Sequence, residues 1–151
     1  MNGPGATSIF VDTNAFYARV DEDDSNHEVA TRLFDAIRTG DVAYRPLFTS
    51  QAVLSEFATL ALYKLGHRVA VRSLNAIRDS ESSNVLPVGR ATFETAADQF
   101  EQYDDQAISF VDHTSGILAE ERDVEHVFAF DGDFRTLGFS MVPADVSHPD
   151  V

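Results

Sequence analysis

The chain has 151 residues, enough for one domain with one core, and 25 acidic against 11 basic side chains give a formal net charge of −14. It has no cysteine and no tryptophan, which excludes a disulfide framework, a thiolate zinc site, an iron–sulfur centre and a cysteine nucleophile. No stretch approaches the roughly 18–20 apolar residues of a membrane span, and Met1-Asn2-Gly3-Pro4-Gly5 has neither the basic nor the apolar region of a signal peptide; a soluble, cytoplasmic protein without membrane partners is expected.

Lys64 is the one lysine; the other basic residues are arginines. A field of this sign repels polyanions. In about 1 M salt, where the Debye length falls to about 3 Å, that repulsion is screened. Scarce lysine and abundant acid suit such a setting. Residues 1–151 are read as one domain, with an ordered core over about 8–143 and loose ends at the Pro/Gly-rich start and at Ser147–Val151.

Ser8-Ile9-Phe10-Val11 is a short β-branched, apolar run and predicts a buried strand ending at Asp12. Asp21-Glu22-Asp23-Asp24 reads as a solvated loop. Ser25 followed by Glu28 predicts a capping box, opening a helix with Ala30, Leu33, Phe34 and Ile37 inward and Gly40 as its stop. Pro46-Leu47-Phe48-Thr49 predicts a second strand. Ser50 caps a helix whose apolar face is Val53, Leu54, Phe57, Ala58, Ala61, Leu62 and Leu65. Gly66 closes it, and His67 to Asp79 forms a third helix, making an αα-hairpin. Val85-Leu86-Pro87-Val88 predicts a strand, and its proline argues for an edge or a strand end. A helix follows from Thr92 to Tyr103, with Phe93, Ala96, Ala97, Phe100 and Tyr103 inward. Ser109 opens another, running to Arg122, with Asp112 at its third position. Val127-Phe128-Ala129-Phe130 and Phe139 to Pro143 are the last two strands. Short apolar strands alternating with amphipathic helices predict an α/β fold with a central parallel sheet covered on both faces, and ligands at the edge where the strands end.

Asp12 and Asp131 each follow a strand, so a parallel sheet sets both on that edge. Asp112 lies in a first helical turn beside the small residues Ser115 and Gly116, which leave room for a metal and a phosphate. Glu56 stands at the margin of an apolar helix stripe, where an acid needs a partner. Each could be a turn, capping or surface acid. Converging carboxylates, however, repel one another unless a cation fills the cleft. Oxygen ligands without cysteine or paired histidines suit Mg²⁺, with Mn²⁺ as substitute.

Four segments together resemble the PIN-domain ribonucleases of the VapC-like toxin type. They are Ile9-Phe10-Val11-Asp12-Thr13-Asn14-Ala15-Phe16, Ser50 with Glu56, Ile108-Ser109-Phe110-Val111-Asp112, and Val127-Phe128-Ala129-Phe130-Asp131-Gly132-Asp133-Phe134 followed by Leu137-Gly138-Phe139. The resemblance implies a three-layer α/β/α fold and a catalytic, metal-holding quartet of Asp12, Glu56, Asp112 and Asp131. It sets Asp133 at the rim, and Thr13, Asn14 and Ser115 as residues that orient a carboxylate or a water. His113 departs from the pattern and is expected in surface or helix-start packing rather than as a ligand. Arg135, Arg19, Arg45 and Arg90 are candidate contacts to RNA phosphates. The implied activity is Mg²⁺-dependent endoribonuclease, the toxin of a toxin–antitoxin pair. The implied partners are an RNA substrate, a cognate antitoxin and a second copy of the chain through helices 50–65 and 67–79. With the acidic bias, the resemblance points to a halophilic archaeon. A housekeeping PIN nuclease of RNA processing and a non-catalytic PIN-like binding module are the alternatives. The Asp-x-Asp of a phosphatase fits poorly, because here it follows a late strand.

Overall fold

The structure is a computed structural model and describes residues 5–146. The elements are β1 (Thr7–Val11), α1 (Thr13–Val20), α2 (His27–Thr39), β2 (Tyr44–Ser50), α3 (Gln51–Leu65), α4 (His67–Asp79), β3 (Ser83–Leu86), α5 (Arg90–Gln102), α6 (Phe110–Glu121), β4 (His126–Phe128), α7 (Asp133–Thr136) and β5 (Ser140–Val142). The strands form one sheet in the order β3-β2-β1-β4-β5, and every pair is parallel. The expected loose tail at Ser147–Val151 lies outside the described residues.

The central place of β1 explains its composition. Ile9, Phe10 and Val11 are fully buried, with a parallel neighbour on each side and helices over the sheet. Phe10, Phe16, Phe57, Phe128 and Phe134 are the largest fully buried side chains. Phe34 joins them, its ring centroid 5.7 Å from Phe16 and 4.7 Å from Phe128. β3 forms one edge of the sheet, where Pro87, just past its end, removes no ladder bond.

Several local expectations are corrected. No element was expected between Asp12 and Ser25, yet α1 occupies 13–20. It is short and buried nearly all round, through Thr13, Ala15, Phe16, Tyr17 and Ala18, so no amphipathic stripe marks it in the sequence. The Ser25–Glu28 capping box does not form. α2 begins at His27 without a side-chain cap, because Asp24 accepts from the Asn26 amide at 2.8 Å and extends the turn. Ser50 and Ser109 do cap, accepting from the amides of Val53 and Asp112, each at 3.1 Å. Between α3 and α4, Gly66 takes φ 93°, a left-handed conformation that lets two helices meet with almost no loop.

Leu62 of α3 and Phe93 and Phe100 of α5 were expected inward but are 42%, 49% and 49% exposed. Phe93 and Phe100 instead pack beside Phe110 of α6, at 5.1 and 5.6 Å between centroids. Of the two places expected for His113, surface or helix-start packing, the structure gives the packing. His113 is buried between Phe100 and Tyr103, and its Nδ1 lies 2.7 Å from Gln99 Oε1. Burial lowers its pKa and favours the neutral ring.

Candidate active site

β1, β4 and β5 end in register, with Val11 beside Phe128 and Phe128 beside Val142. The next residue of the central strand is Asp12, whose amide donates to Phe128 O at 3.0 Å. The chain turns there into α1, so the carboxylate is held at the sheet edge by the backbone on both sides. Asp12 is 2% exposed. Its Oδ1 has no hydrogen-bond partner, and neither do the buried hydroxyls of Thr13 and Ser115. Buried polar atoms are rarely left so.

Asp112 reaches the same place from α6. Its amide is taken by the Ser109 cap, and its buried carboxylate faces the other acids. Beyond β4, the Asp133 amide donates to Asp131 Oδ1 at 3.0 Å, closing a tight turn. Phe134, fully buried, anchors α7 and fixes that turn. One carboxylate oxygen from each of Asp112, Asp131 and Asp133 lies within 4.8 Å of the others. Glu56 of α3 is half-buried.

The electrostatics link all five acids. Burial, foremost, raises the Asp12 pKa to about 7; the nearby amides of Thr13 and Asn14 oppose this, and Glu56 and Asp131 add to it. Burial likewise raises Asp112 to about 8, followed by the charges of Asp12, Asp131, Glu56 and Asp133. Asp133 is also pushed up, by burial and then by Asp131. The expected quartet therefore converges electrostatically. The tightest group, though, contains Asp133, which was expected at the rim, and does not contain Asp12 or Glu56. The signal for Asp133 lay in its spacing: two residues after Asp131, an Asx turn folds it back beside its neighbour.

Gly116 has another use than the one expected. A Cβ there would lie 3.3 Å from Phe139 Cε2 and 3.5 Å from Leu137 Cδ1, so its bare face seats the segment before β5 rather than a ligand. Ser115 is buried with its hydroxyl unpartnered, whereas Asn14 is exposed. The four arginines separate. Arg90 opens α5 beyond the end of β3, and Arg135 lies beside the Asp131–Asp133 turn, its guanidinium forked onto Asp145 at 2.7 and 3.2 Å. Arg45 sits at the start of β2, and Arg19 at the last turn of α1, both toward the opposite edge of the sheet.

The donor set fits a hard divalent cation. It is all oxygen, burial and neighbouring carboxylates raise the pKa values of Asp112 and Asp133, and Asp12, whose Oδ1 has no partner, acts on Asp112 from beside it. The sequence pattern of the PIN domain matches residues 9–140. The chain belongs to the PIN-domain family. Among characterised PIN domains, it is 36% identical over 133 residues to the 23S rRNA-specific endonuclease VapC20 of Mycobacterium tuberculosis, spanning 87% of this chain and 95% of that one. The crystal structure of VapC20, described as a sarcin–ricin loop cleaving toxin, is similar with a TM-score of 0.78 at 35% identity, again over 87% and 95% of the two chains. Two further structures share the PIN fold. VapBC2 of Rickettsia felis, bound to a promoter DNA fragment, gives a TM-score of 0.64 at 9% identity, over 89% of this chain and 97% of that one. FitAcB of Neisseria gonorrhoeae gives 0.62 at 13%, over 88% and 95%. Among the described residues no helix is long and apolar enough to cross a membrane.

Proposed function

We propose that this PIN domain is a divalent-metal-dependent endoribonuclease and the toxin of a toxin–antitoxin pair, cutting a structured ribosomal RNA loop. The observation that carries the reading is the carboxylate cluster at the end of the central strands, where burial holds Asp12 and Asp112 far above their ordinary pKa. Similarity to VapC20 along nearly its whole length supports the substrate class.

Asp112, Asp131 and Asp133 would hold the ion directly, with Asp12 and Glu56 beside them. Mg²⁺ or Mn²⁺ so held supplies positive charge to a phosphate and lowers the pKa of a bound water. The protein does the rest by position. The hydroxyls of Thr13 and Ser115, free of other partners, can donate to a carboxylate or accept from a water and fix its orientation. Asn14 stands exposed, within the first turn after Asp12, where a phosphate oxygen can be met. Arg90 and Arg135 offer charge along the same edge. No histidine acts in this scheme; His113 is occupied by Gln99.

Incubation with ribosomal RNA carrying the sarcin–ricin loop, with Mg²⁺ or with EDTA, tests the reading. One major cut is expected, abolished by EDTA. Intact RNA with Mg²⁺, or cleavage undiminished by EDTA, would overturn it.

An antitoxin segment carrying Arg or Lys would satisfy the same carboxylates through charge-assisted hydrogen bonds. A purified pair that cut RNA as fast as the free chain would contradict that. The αα-hairpin also leaves Leu62 42%, Tyr63 82% and Val71 42% exposed, which supports a symmetric homodimer through α3 and α4. Sedimentation should show a dimer that Tyr63→Glu splits. A parent monomeric at micromolar concentration would sink it. The site of action implied is the cytoplasm.

A further inference from the structure

Asp145 lies just past β5 and is tied to that strand twice. Its amide donates to Met141 O at 2.7 Å, and its Oδ2 accepts from the Met141 amide at 2.9 Å. The same carboxylate receives Arg135 of α7 side-on, with Nε donating to Oδ2 at 3.2 Å and Nη2 to Oδ1 at 2.7 Å. Such a fork sets the plane of a guanidinium as a single contact does not. It is unlike the other ion pairs among the described residues, Arg32–Glu28 at 3.1 Å, Arg38–Asp35 at 3.6 Å and Arg122–Glu121 at 3.9 Å, which are single contacts between near neighbours in sequence.

The fork leaves the end of the guanidinium unused. A guanidinium has five N–H donors, and Asp145 takes one from Nε and one from Nη2. Among the described residues Nη1 donates to nothing. It stands over the turn that carries two of the clustered acids: a Cβ built on Gly132, between Asp131 and Asp133, would lie 3.9 Å from it. Stability does not account for this arrangement. The side chains of Arg135 and Asp145 are 56% and 29% exposed, and exposed ion pairs contribute little. Nor does charge balance account for it. In a chain of net charge −14, an acid beside the edge that receives a polyanion weakens binding unless it serves a basic group there.

We propose that Asp145 is a positioning residue for RNA: it holds Arg135 so that the free end of the guanidinium meets a phosphate beside the one at the carboxylates. The proposal rests on the nuclease reading, which brings a strand to this edge. Nη1 and the second N–H of Nη2 form an end-on fork, and a phosphodiester offers its two unbridged oxygens in matching geometry. With the guanidinium already fixed to β5 through Asp145, little freedom is lost when the phosphate arrives. Asp145 touches no RNA in this arrangement; it acts through Arg135. An acid thereby strengthens the binding of a polyanion, the opposite of what its own charge would do.

Sarcin–ricin loop RNA tests it in two ways: kcat and KM for cleavage in Mg²⁺, and Kd by fluorescence anisotropy in an Asp12→Asn chain, where binding is read without cutting. Arg135→Gln and Asp145→Asn should each raise KM and Kd about three- to fivefold, the scale of one exposed charge pair, with the change falling on KM rather than kcat. The sign for Asp145→Asn separates positioning from plain charge, because losing an acid by charge alone would tighten RNA binding. Arg135→Lys, which keeps the charge and loses the fork, should raise KM as Arg135→Gln does. In the Arg135→Gln chain, adding Asp145→Asn should leave KM and Kd level or lower them. Arg135→Gln should also flatten the dependence of log Kd on log salt by about 0.7–0.9, the loss of one phosphate contact. Unchanged or lower KM and Kd for Asp145→Asn alone, or a rise that persists in the Arg135→Gln chain, overturns the proposal and leaves the nuclease reading standing. A chain that neither cuts nor binds the RNA overturns both.

Discussion

The two edges of one sheet carry opposite chemistry. Where the strands end, Asp12, Asp112, Asp131 and Asp133 crowd together; Asp12 keeps an orphaned oxygen, and burial raises the pKa values of Asp12, Asp112 and Asp133. Toward the strand starts, Arg19, Arg38 and Arg72 gather around an apolar cavity. Each edge gathers like charges, and of the three arginines only Arg38 has an acid partner among the described residues, Asp35 at 3.6 Å. The difference lies in burial: Asp12 and Asp112 are buried, whereas Arg38 and Arg72 are exposed and Arg19 lies half-buried over the Phe34 ring. Burial and mutual repulsion therefore weigh more on the acidic edge than on the basic one.

The largest expected effect is on RNA cleavage. Asp12→Asn and Asp131→Asn should lower the rate on the order of 10²–10³-fold, the scale of losing one preorganised electrostatic group. Asp133→Asn should fall within tenfold of Asp131→Asn, because it shares the tight group. A near-parental rate for Asp133→Asn, in a single-turnover assay, would return that residue to the rim.

Next in size is stability against pH. Asp12 and Asp112 bind protons more tightly in the native chain, at about 7 and about 8, than in the unfolded one, at about 4. The native state therefore holds more protons between these limits, and stability falls as pH rises through that window. In EDTA the melting midpoint should drop from pH 5 to pH 8. Asp12→Asn should flatten the drop and match or exceed the parent at pH 8. With Mn²⁺ present the order should reverse, because metal stabilises only the intact site. A parent whose EDTA melts are independent of pH would erase the contrast between the edges.

These predictions rest on acids the sequence already pointed to, for a physical reason. Asp12 and Asp131 follow apolar runs short enough to be read only as strands, and parallel strands end on one edge. Asp112 is tied to the Ser109 cap three residues earlier. Asp133 depends on a side-chain turn that no hydropathy pattern records.

A smaller effect is expected from salt. Raising KCl from about 0.1 M to 3 M shortens the Debye length and should raise the melting midpoint, most at pH 8, where the cluster is fullest of charge. A flat midpoint would remove the high-salt reading of the composition. The smallest effect should come from Arg135→Gln. Its fork to Asp145 is exposed, so melting should be indistinguishable from the parent, with at most a modest rise in KM for RNA.

The sequence by itself determined the parallel α/β architecture, the order of most elements and the acids at the strand ends. Those follow from periodicity and from where apolar runs stop, which are local properties. The tertiary structure alone decided how far each acid is buried, that α1 exists, that Gly116 seats Phe139, and that His113 turns inward to Gln99. It alone parted Arg19 and Arg45 from Arg90 and Arg135. The reason is common to all of these. Burial and proximity arise between segments distant along the chain, so they are fixed only when helices pack on the sheet.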